Sequence, residues 1–172
     1  AVIGPSASWS YAQLGETVNR IANALTRDLG LVPGHRVLLR AANTPMMVAA
    51  YLAVLKAGGV AVATMPMLRT GELLYPIRKA RIALALCDHR VIGDLKSAQL
   101  LAPELSTIVS WGDGELEALM AKPGYEEFAA ADTAQDDVCL IAFTSGTTGE
   151  PKGTMHFQRD LLAICDSYGA RV

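Results

Sequence analysis

The sequence predicts an α/β fold with a largely parallel sheet. Short apolar runs, typical of buried strands, alternate along the chain with longer amphipathic segments that are typical of helices. The apolar runs lie at residues 60–63, 82–87, 107–110 and 138–143, and one more strand is expected within 32–39. The 172-residue chain is 51% hydrophobic, which is enough to bury a substantial core.

The first helix is predicted to begin after Ser10. Ser10 and Gln13 have the spacing of a capping box, in which each side chain bonds the backbone N–H of the other residue. Apolar residues then recur three or four positions apart, which places them on one face of a helix that Gly30 would end. These residues are Leu14, Val18, Ile21, Leu25 and Leu29.

Residues 46–68 have the length and apolar character of a candidate membrane span, with Lys56 as their single charged side chain. Glycines and prolines interrupt the stretch, and a central lysine costs about 2.5–3.5 kcal/mol on insertion scales. We therefore expect a helix over Pro45–Ala57 capped by Thr44, followed by the strand at 60–63, and no membrane span.

Three further helices are expected later in the chain. The first covers 71–80, with Thr70 as its N-cap, and the others cover 115–121 and 158–167. Residues 121–137 are polar and acidic, which indicates a loop.

Composition limits the classes of function. The net charge of −2 gives no basic surface for nucleic acid. The three cysteines are far apart and lack the spacing of a zinc site, and two of them, Cys87 and Cys139, fall in predicted core strands. We expect free buried thiols, no metal site formed by cysteines and a cytoplasmic protein.

The most informative segment is Thr144-Ser145-Gly146-Thr147-Thr148-Gly149-Glu150-Pro151-Lys152-Gly153, which directly follows the apolar run at 138–143. Glycines allow close backbone approach, hydroxyls donate hydrogen bonds, and lysine adds a positive charge. Such a loop can bind phosphate at the carboxyl end of a strand. It does not fit the Walker A pattern, since no Ser or Thr follows the lysine, and it lacks a glycine of the dinucleotide-binding fingerprint.

This decapeptide resembles the phosphate-binding loop of the adenylate-forming superfamily, and it meets that pattern at every position. The superfamily includes acyl-CoA synthetases, the adenylation domains of peptide synthetases and luciferases. Its members convert a carboxylic acid and ATP to an acyl-adenylate and pyrophosphate, with Mg²⁺, and usually transfer the acyl group to a thiol such as coenzyme A. The resemblance implies that the β- and γ-phosphates of ATP are held by Thr144, Ser145, Gly146, Thr147, Thr148, Gly149 and Lys152.

The resemblance extends over most of the chain, including residues 9–14, 32–39 and 46–68. It implies that 1–172 is the first part of a large N-terminal domain. This part ends soon after the phosphate loop, and the rest of the domain and a C-terminal lid domain are expected to be absent from it. In the family, the aspartate that holds the ribose and the C-terminal lysine that drives adenylation lie downstream of this loop. We therefore expect no catalytic residue in 1–172, and we expect this fragment of an acid–CoA ligase to be inactive alone.

Two further expectations concern the acid. Residues 63–69 and 84–88 are similar to aryl-CoA ligases of the benzoate and 2-aminobenzoate type, which implies an aromatic carboxylic acid as the small-molecule partner. Many acyl-CoA synthetases have a histidine near the acyl pocket at the position of His156. The alternative for His156 is a histidine at a strand end that is bonded to backbone.

Two other classes of function stay open at this point. One is a nucleotide-binding protein of another type, such as a phosphotransferase, although the missing Walker A pattern argues against it. The other is a non-catalytic scaffold, in which exposed apolar surface would favour a homodimer.

Overall fold

The structure is a computed structural model that describes residues 2–4, 8–144 and 151–169. Within these residues the strands are β1 (Val2–Ile3), β2 (Ser8–Trp9), β3 (Arg36–Arg40), β4 (Val60–Thr64), β5 (Leu84–Asp88), β6 (Thr107–Trp111), β7 (Val138–Thr144) and β8 (Lys152–Phe157). The α-helices are α1 (Tyr11–Asn23), α2 (Pro45–Lys56), α3 (Thr70–Lys79), α4 (Ile92–Leu101), α5 (Glu115–Met120) and α6 (Gln158–Gly169).

One sheet organises the chain, with strand order β6-β5-β3-β4-β7-β8. The strands from β6 to β7 are parallel to their neighbours, and β8 runs antiparallel to β7. The short strands β1 and β2 form a separate antiparallel pair. The predicted α/β fold with a mostly parallel sheet is therefore confirmed.

Helices cover both faces of the sheet, as parallel sheets require. Side chains from α1, α2 and α5 form one hydrophobic cluster with Val37 and Leu39 of the central strand. Side chains from α3 and α4 form the second cluster with Leu38, on the opposite face. The alternation along β3 divides its side chains between the two clusters, as the two-residue period of a strand dictates.

The capping predictions for α1 and α2 are confirmed. The Ser10 N–H donates to Gln13 Oε1 at 2.8 Å, and the Gln13 N–H donates to Ser10 Oγ at 3.2 Å. The Thr44 hydroxyl accepts from the Met47 N–H at 3.3 Å, with Pro45 in the first helical position. Regular α-helix ends earlier than the apolar spacing suggested, because a π-helical turn covers Ala24–Asp28.

The prediction that Thr70 caps α3 is wrong. Thr70 is the first residue inside the helix, and its backbone N–H and hydroxyl both donate to Asp94 Oδ1 of α4, at 3.0 and 2.9 Å. The N-cap is Arg69, whose N–H donates to Glu72 Oε2 at 2.8 Å. Thr70, which the local spacing predicted as the cap, therefore bonds instead to Asp94, a carboxylate 24 residues later in the chain.

Strand β5 begins two residues later than the apolar run predicted. The Ile82 N–H donates to the Ile77 carbonyl at 2.9 Å, which closes the end of α3, and Arg81 has a φ of 50°. Ile82 is fully buried but belongs to the helix cap, where a left-handed residue and a bond back into the last turn are common.

The polar segment at 121–137 is a loop, as predicted, and it is held against α1 and the turn that follows it. Asp28 pairs with Lys122 and accepts from the Tyr125 hydroxyl at 3.0 Å. The buried Asn23 amide donates to the Tyr125 and Glu127 carbonyls. These contacts hold the chain between β6 and β7 against the first helix.

No helix in the described ranges is long and apolar enough to cross a membrane. Residues 46–68 form α2, β4 and the connection that follows, as the sequence indicated.

Candidate functional site

The two ends of the predicted phosphate loop face each other in the sheet. Thr144, the last residue of β7, pairs with Lys152, the first residue of β8, and the Thr144 hydroxyl donates to the Lys152 carbonyl at 3.5 Å. Both residues are exposed. The β-hairpin therefore brings these two exposed residues together at the point where the loop begins and ends.

The other predicted phosphate contacts are Ser145, Gly146, Thr147, Thr148 and Gly149, and they lie outside the described residues. Strand β8 was not predicted from the sequence. Its hairpin pairing with β7 is what joins Thr144 and Lys152 in space.

The hairpin opens at the carboxyl edge of the parallel sheet. Because β3 to β7 run in the same direction, their last residues lie along one edge; these are Arg40, Thr64, Asp88, Trp111 and Thr144. Ligands of open α/β sheets bind outside this edge. The location of Thr144 and Lys152 is therefore the one expected for a phosphate-binding segment.

Gly153 is required by packing within the hairpin. It pairs with Phe143, and a Cβ atom at this position would lie 3.2 Å from Ile141 Cγ2 and 3.2 Å from Phe143 Cε1. The Phe143 ring also makes an edge-to-face contact with Tyr75 of α3, with centroids 6.1 Å apart. Gly153, the last residue of the decapeptide, thus leaves space for the Phe143 ring, which packs directly before the loop begins.

His156 lies near the far end of β8, away from the loop. It pairs with Leu140, its carbonyl accepts from Cys139 Sγ at 3.5 Å, and its Nδ1 is 3.9 Å from Asp160 Oδ2. Lys152 and His156 are four residues apart on the same face of the strand, which separates them by about 13 Å. The structure does not bring His156 to the phosphate end of the hairpin.

Cys87 and Cys139 are not candidates for nucleophilic chemistry. Cys87 and Cys139 are buried, as predicted, and Cys165 is exposed. Burial raises the pKa of Cys87 to about 12, so its thiol stays protonated at neutral pH.

Arg40 was not predicted from the sequence as a residue of this edge, and its guanidinium is almost completely buried there. It donates to the carbonyls of Met65, Pro66 and Leu68 at 2.9, 2.9 and 2.7 Å and to that of Val91 at 3.0 Å. Burial lowers the pKa of Arg40 from its ordinary value. A charged residue inside an apolar strand pattern was the available signal, since arginine is rarely buried without partners.

A second buried charge lies farther along the same edge. Asp88 accepts from Arg90 Nε at 2.9 Å and from Arg90 Nη2 at 2.6 Å, and these bonds hold the Asp88 pKa below its usual range. The recess beside it, about 300 Å³ in volume, is lined by Trp9 and Trp111 among others. Strands β3 and β4 lie between β5 and β7, so this recess is about 14 Å from the hairpin and is not part of the phosphate site.

Comparison with known proteins decides the family. The sequence model of the AMP-binding enzyme family matches residues 1–171. This chain belongs to that family. The match confirms the membership that the decapeptide implied.

Relatives of this AMP-binding chain include CoA ligases that act on aromatic acids. The benzoate–CoA ligase of Thauera aromatica is 33% identical over 175 residues, which is 96% of this chain and 32% of that enzyme. An uncharacterized acyl-CoA ligase of Bacillus subtilis (strain 168) is 33% identical over 154 residues, 89% of this chain and 29% of its own length. The chain thus spans about a third of the length of these relatives.

Solved structures of the family show the same arrangement of strands and helices. The anthranilate CoA ligase AuaEII in complex with anthranoyl-AMP superposes with a TM-score of 0.90 at 25% identity, over 98% of this chain and 32% of that one. ATP-bound MatB from Rhodopseudomonas palustris superposes with a TM-score of 0.79 at 31% identity, over 91% of this chain and 32% of that one. The mostly parallel sheet is therefore the one found in N-terminal regions of adenylate-forming enzymes.

The packing at Gly153 leads to a stability prediction. We expect Gly153→Ala to lower the free energy of unfolding by about 1–3 kcal/mol, because the new methyl group meets Ile141 and Phe143. Gly15→Ala is the matched control, since a Cβ in the middle of α1 meets nothing within 4 Å. That control should gain about 0.5–1 kcal/mol from helix propensity. Urea unfolding measures both, and equal effects would contradict the packing argument.

The Asp88–Arg90 pair leads to a pH prediction. The folded-state pKa of Asp88 lies below the unfolded value of about 3.9, so the pair stabilises the fold above that pH. Stability is then lost as the pH falls through the folded-state pKa. We expect Asp88→Asn to be less stable than wild type by about 1.5–3 kcal/mol at neutral pH, and the gap to close in acid.

Urea unfolding from neutral pH to about pH 2 measures this gap. Asp132→Asn makes the same change at an exposed carboxylate and should follow the wild-type curve. A gap between Asp88→Asn and wild type that stays constant with pH would contradict the electrostatic explanation.

Proposed function

We propose that the protein containing this chain is an ATP-dependent acid–CoA ligase, and that residues 144–152 hold the phosphates of ATP. The observation that carries the proposal is the pairing of Thr144 with Lys152 at the carboxyl end of β7, in a chain of the AMP-binding family. The proposed phosphate contacts are Thr144, Ser145, Gly146, Thr147, Thr148, Gly149 and Lys152.

The chemistry of these groups suits the first half of the reaction. A carboxylate oxygen attacks the α-phosphorus of ATP, a new C–O–P linkage forms, and the bond from the α-phosphorus to pyrophosphate breaks. The Lys152 ammonium reduces the negative charge that repels the incoming carboxylate, and it stabilises the charge that develops on pyrophosphate. The Thr144 hydroxyl has one hydrogen, so its 3.5 Å bond to the Lys152 carbonyl would be exchanged for a bond to a phosphate oxygen, which would fix the orientation of the phosphates.

Magnesium would enter this site with the nucleotide. In the described ranges, no group of three or more His, Cys, Asp or Glu side chains is placed to hold a metal ion. The described groups at the hairpin are a hydroxyl and an ammonium, which contact phosphate oxygens directly. Mg²⁺ would be held through the nucleotide at this site and would neutralise part of the phosphate charge.

The acid is proposed to be aromatic, with His156 as one wall of its pocket. Support comes from relatives whose names state benzoate or hydroxybenzoate as substrates, and from the anthranilate ligase with its bound adenylate. His156 is partly exposed and shares a strand face with Lys152. The final acceptor is proposed to be coenzyme A, as in these named ligases. A cytoplasmic location stays a prediction.

The remaining parts of the active site are proposed to lie in the length of the relatives that this chain does not span. Residues 1–172 would then be part of the N-terminal domain, with no catalytic residue of their own. A purified polypeptide of this sequence alone is expected to release no pyrophosphate. Pyrophosphate release from that polypeptide with acid and ATP would show that the assignment of the catalytic groups is wrong.

The test of the function is ATP–pyrophosphate exchange by the enzyme that carries this chain. Lys152→Ala should raise the KM for ATP about 10- to 100-fold, the range that corresponds to losing one hydrogen bond to a charged group. Lys96→Ala removes the same charge from an exposed position on α4 and should leave the KM unchanged. Exchange should require an acid, with benzoate and 2-aminobenzoate preferred over aliphatic acids.

Each failure of this test has a separate meaning. If Lys152→Ala and Lys96→Ala behave alike, the phosphate assignment is wrong. If aliphatic acids are preferred, the proposed acid–CoA ligase activity is supported and the proposal of an aromatic substrate is wrong. If no acid supports exchange, a non-catalytic scaffold becomes the favoured function, for which exposed Leu162, Ile164 and Tyr168 on α6 would offer an apolar surface for a homodimer.

A further inference from the structure

The end of β7 that leads into the phosphate loop pairs with the parallel sheet at few positions. In the described part of the chain, β4 and β7 pair at Ala61 and Leu140, whereas β3 and β4 pair at five consecutive positions. Beyond Leu140, the residues up to Thr144 pair with β8 on the other side. Since β8 is the edge strand, it cannot by itself fix where the hairpin lies relative to the sheet.

Side-chain packing against α3 supplies the missing constraint. Ile141 and Phe143 pack on the cluster that includes Leu73 and Ile77 of α3. Phe143 also meets Tyr75 edge to face, with an interplanar angle of 87°. Phe143 directly precedes Thr144, so a displacement of α3 moves the residue next to the phosphate loop.

The start of α3 is in turn fixed by Arg40. Its two Nη atoms donate to the carbonyls of Met65, Pro66 and Leu68, in the connection between β4 and α3. Its Nε donates to the Val91 carbonyl, immediately before α4. One side chain of the central strand therefore holds the connections that follow β4 and β5.

The contacts account for an arginine at this position. Its planar guanidinium carries five N–H donors that point outward in one plane. Four of these donors form the hydrogen bonds to carbonyls. A lysine ammonium has three donors on a single atom and cannot span the Val91 and Leu68 sides together. An apolar residue would leave the carbonyls without donors in a buried site.

We propose that Arg40 is a positioning residue for ATP binding, which acts through the β4–α3 connection and the Tyr75–Phe143 contact on the phosphate-loop end of β7. The proposal rests on the phosphate assignment above. Arg40 does not touch ATP in this scheme. Its effect is to fix where Thr144 and Lys152 present their donors.

Arg20 of α1 provides a control on the opposite face of the sheet. Its Nη1 donates to the Met120 carbonyl at 2.9 Å, and its guanidinium pairs with Glu16 and Glu126. These bonds join α1 to the end of α5 and the loop after it, away from α3. Arg20→Met therefore removes an arginine-to-backbone bond without changing a contact of α3.

The experiment uses the enzyme that carries this chain and measures the KM values for ATP and for acid in pyrophosphate exchange, with thermal stability alongside. Arg40→Met should raise the KM for ATP about tenfold or more, the loss expected from one misaligned bond to a charged group, and leave the KM for acid within about twofold. Arg40→Lys should fall between Arg40→Met and wild type. Arg20→Met should lower stability without changing the KM for ATP.

A second variant covers the case in which the Arg40 variants do not fold. Tyr75→Leu keeps an apolar side chain but removes the ring contact with Phe143, and it leaves every carbonyl bonded to Arg40 in place. It should raise the KM for ATP several-fold at nearly unchanged stability. Combined with Arg40→Lys, its effect should be less than additive, because both changes act along one path.

The outcomes separate this inference from the proposed function. Unchanged KM for ATP in Tyr75→Leu, or equal changes in the Arg40 and Arg20 variants, would show that Arg40 serves stability alone. Wild-type enzyme without exchange activity would overturn the ligase assignment, and calorimetry of Mg-ATP binding would then test Arg40 with the same variants. Wild type that binds no ATP would overturn both proposals.

Discussion

The parallel hydrogen-bonded ladders on both sides of β3 are the constraint on which the rest of this structure depends. They fix β4 and β5 in register with β3 and so place the ends of these strands at a common edge. Because side chains of β3 alternate between two helical layers, both clusters of the core meet at this strand. The connections that follow β4 and β5 at that edge therefore take their positions from these ladders.

The same constraint explains a charge in the core. Parallel strands end together, so the connections that leave β4 and β5 expose carbonyls that no strand can pair. Arg40 supplies donors to four of them from the last position of β3. Desolvation lowers the pKa of Arg40, while the Asp94 carboxylate favours the charged form and opposes part of that shift.

Periodicity and cap spacing predicted the elements that depend on contacts between nearby residues. They failed where a residue distant in sequence determines the local structure. The capping residues Ser10 and Thr44 could be assigned because their partners lie three residues away. Thr70 could not, because Asp94 of another helix binds it. Helix α4 was missed because only Leu95 and Ala98 of its residues are buried, which leaves no apolar face to detect. The decapeptide identified the family, but the pairing of Thr144 with Lys152 needed β8, whose own side chains are mostly exposed.

A hairpin is a suitable support for a phosphate loop because it fixes both ends of the loop at once. A loop that leads from a strand into a helix is held at its start by the sheet and at its end by helix packing. Here the register of β7 and β8 sets the distance between Thr144 and Lys152 through backbone hydrogen bonds, independent of the side chains of the loop. The remaining freedom is movement of the whole hairpin relative to the sheet, since β4 pairs with β7 at Leu140 but not along its upper half. Aromatic packing on α3 limits that movement, so the geometry of the proposed phosphate site depends on a helix that need not contact the nucleotide.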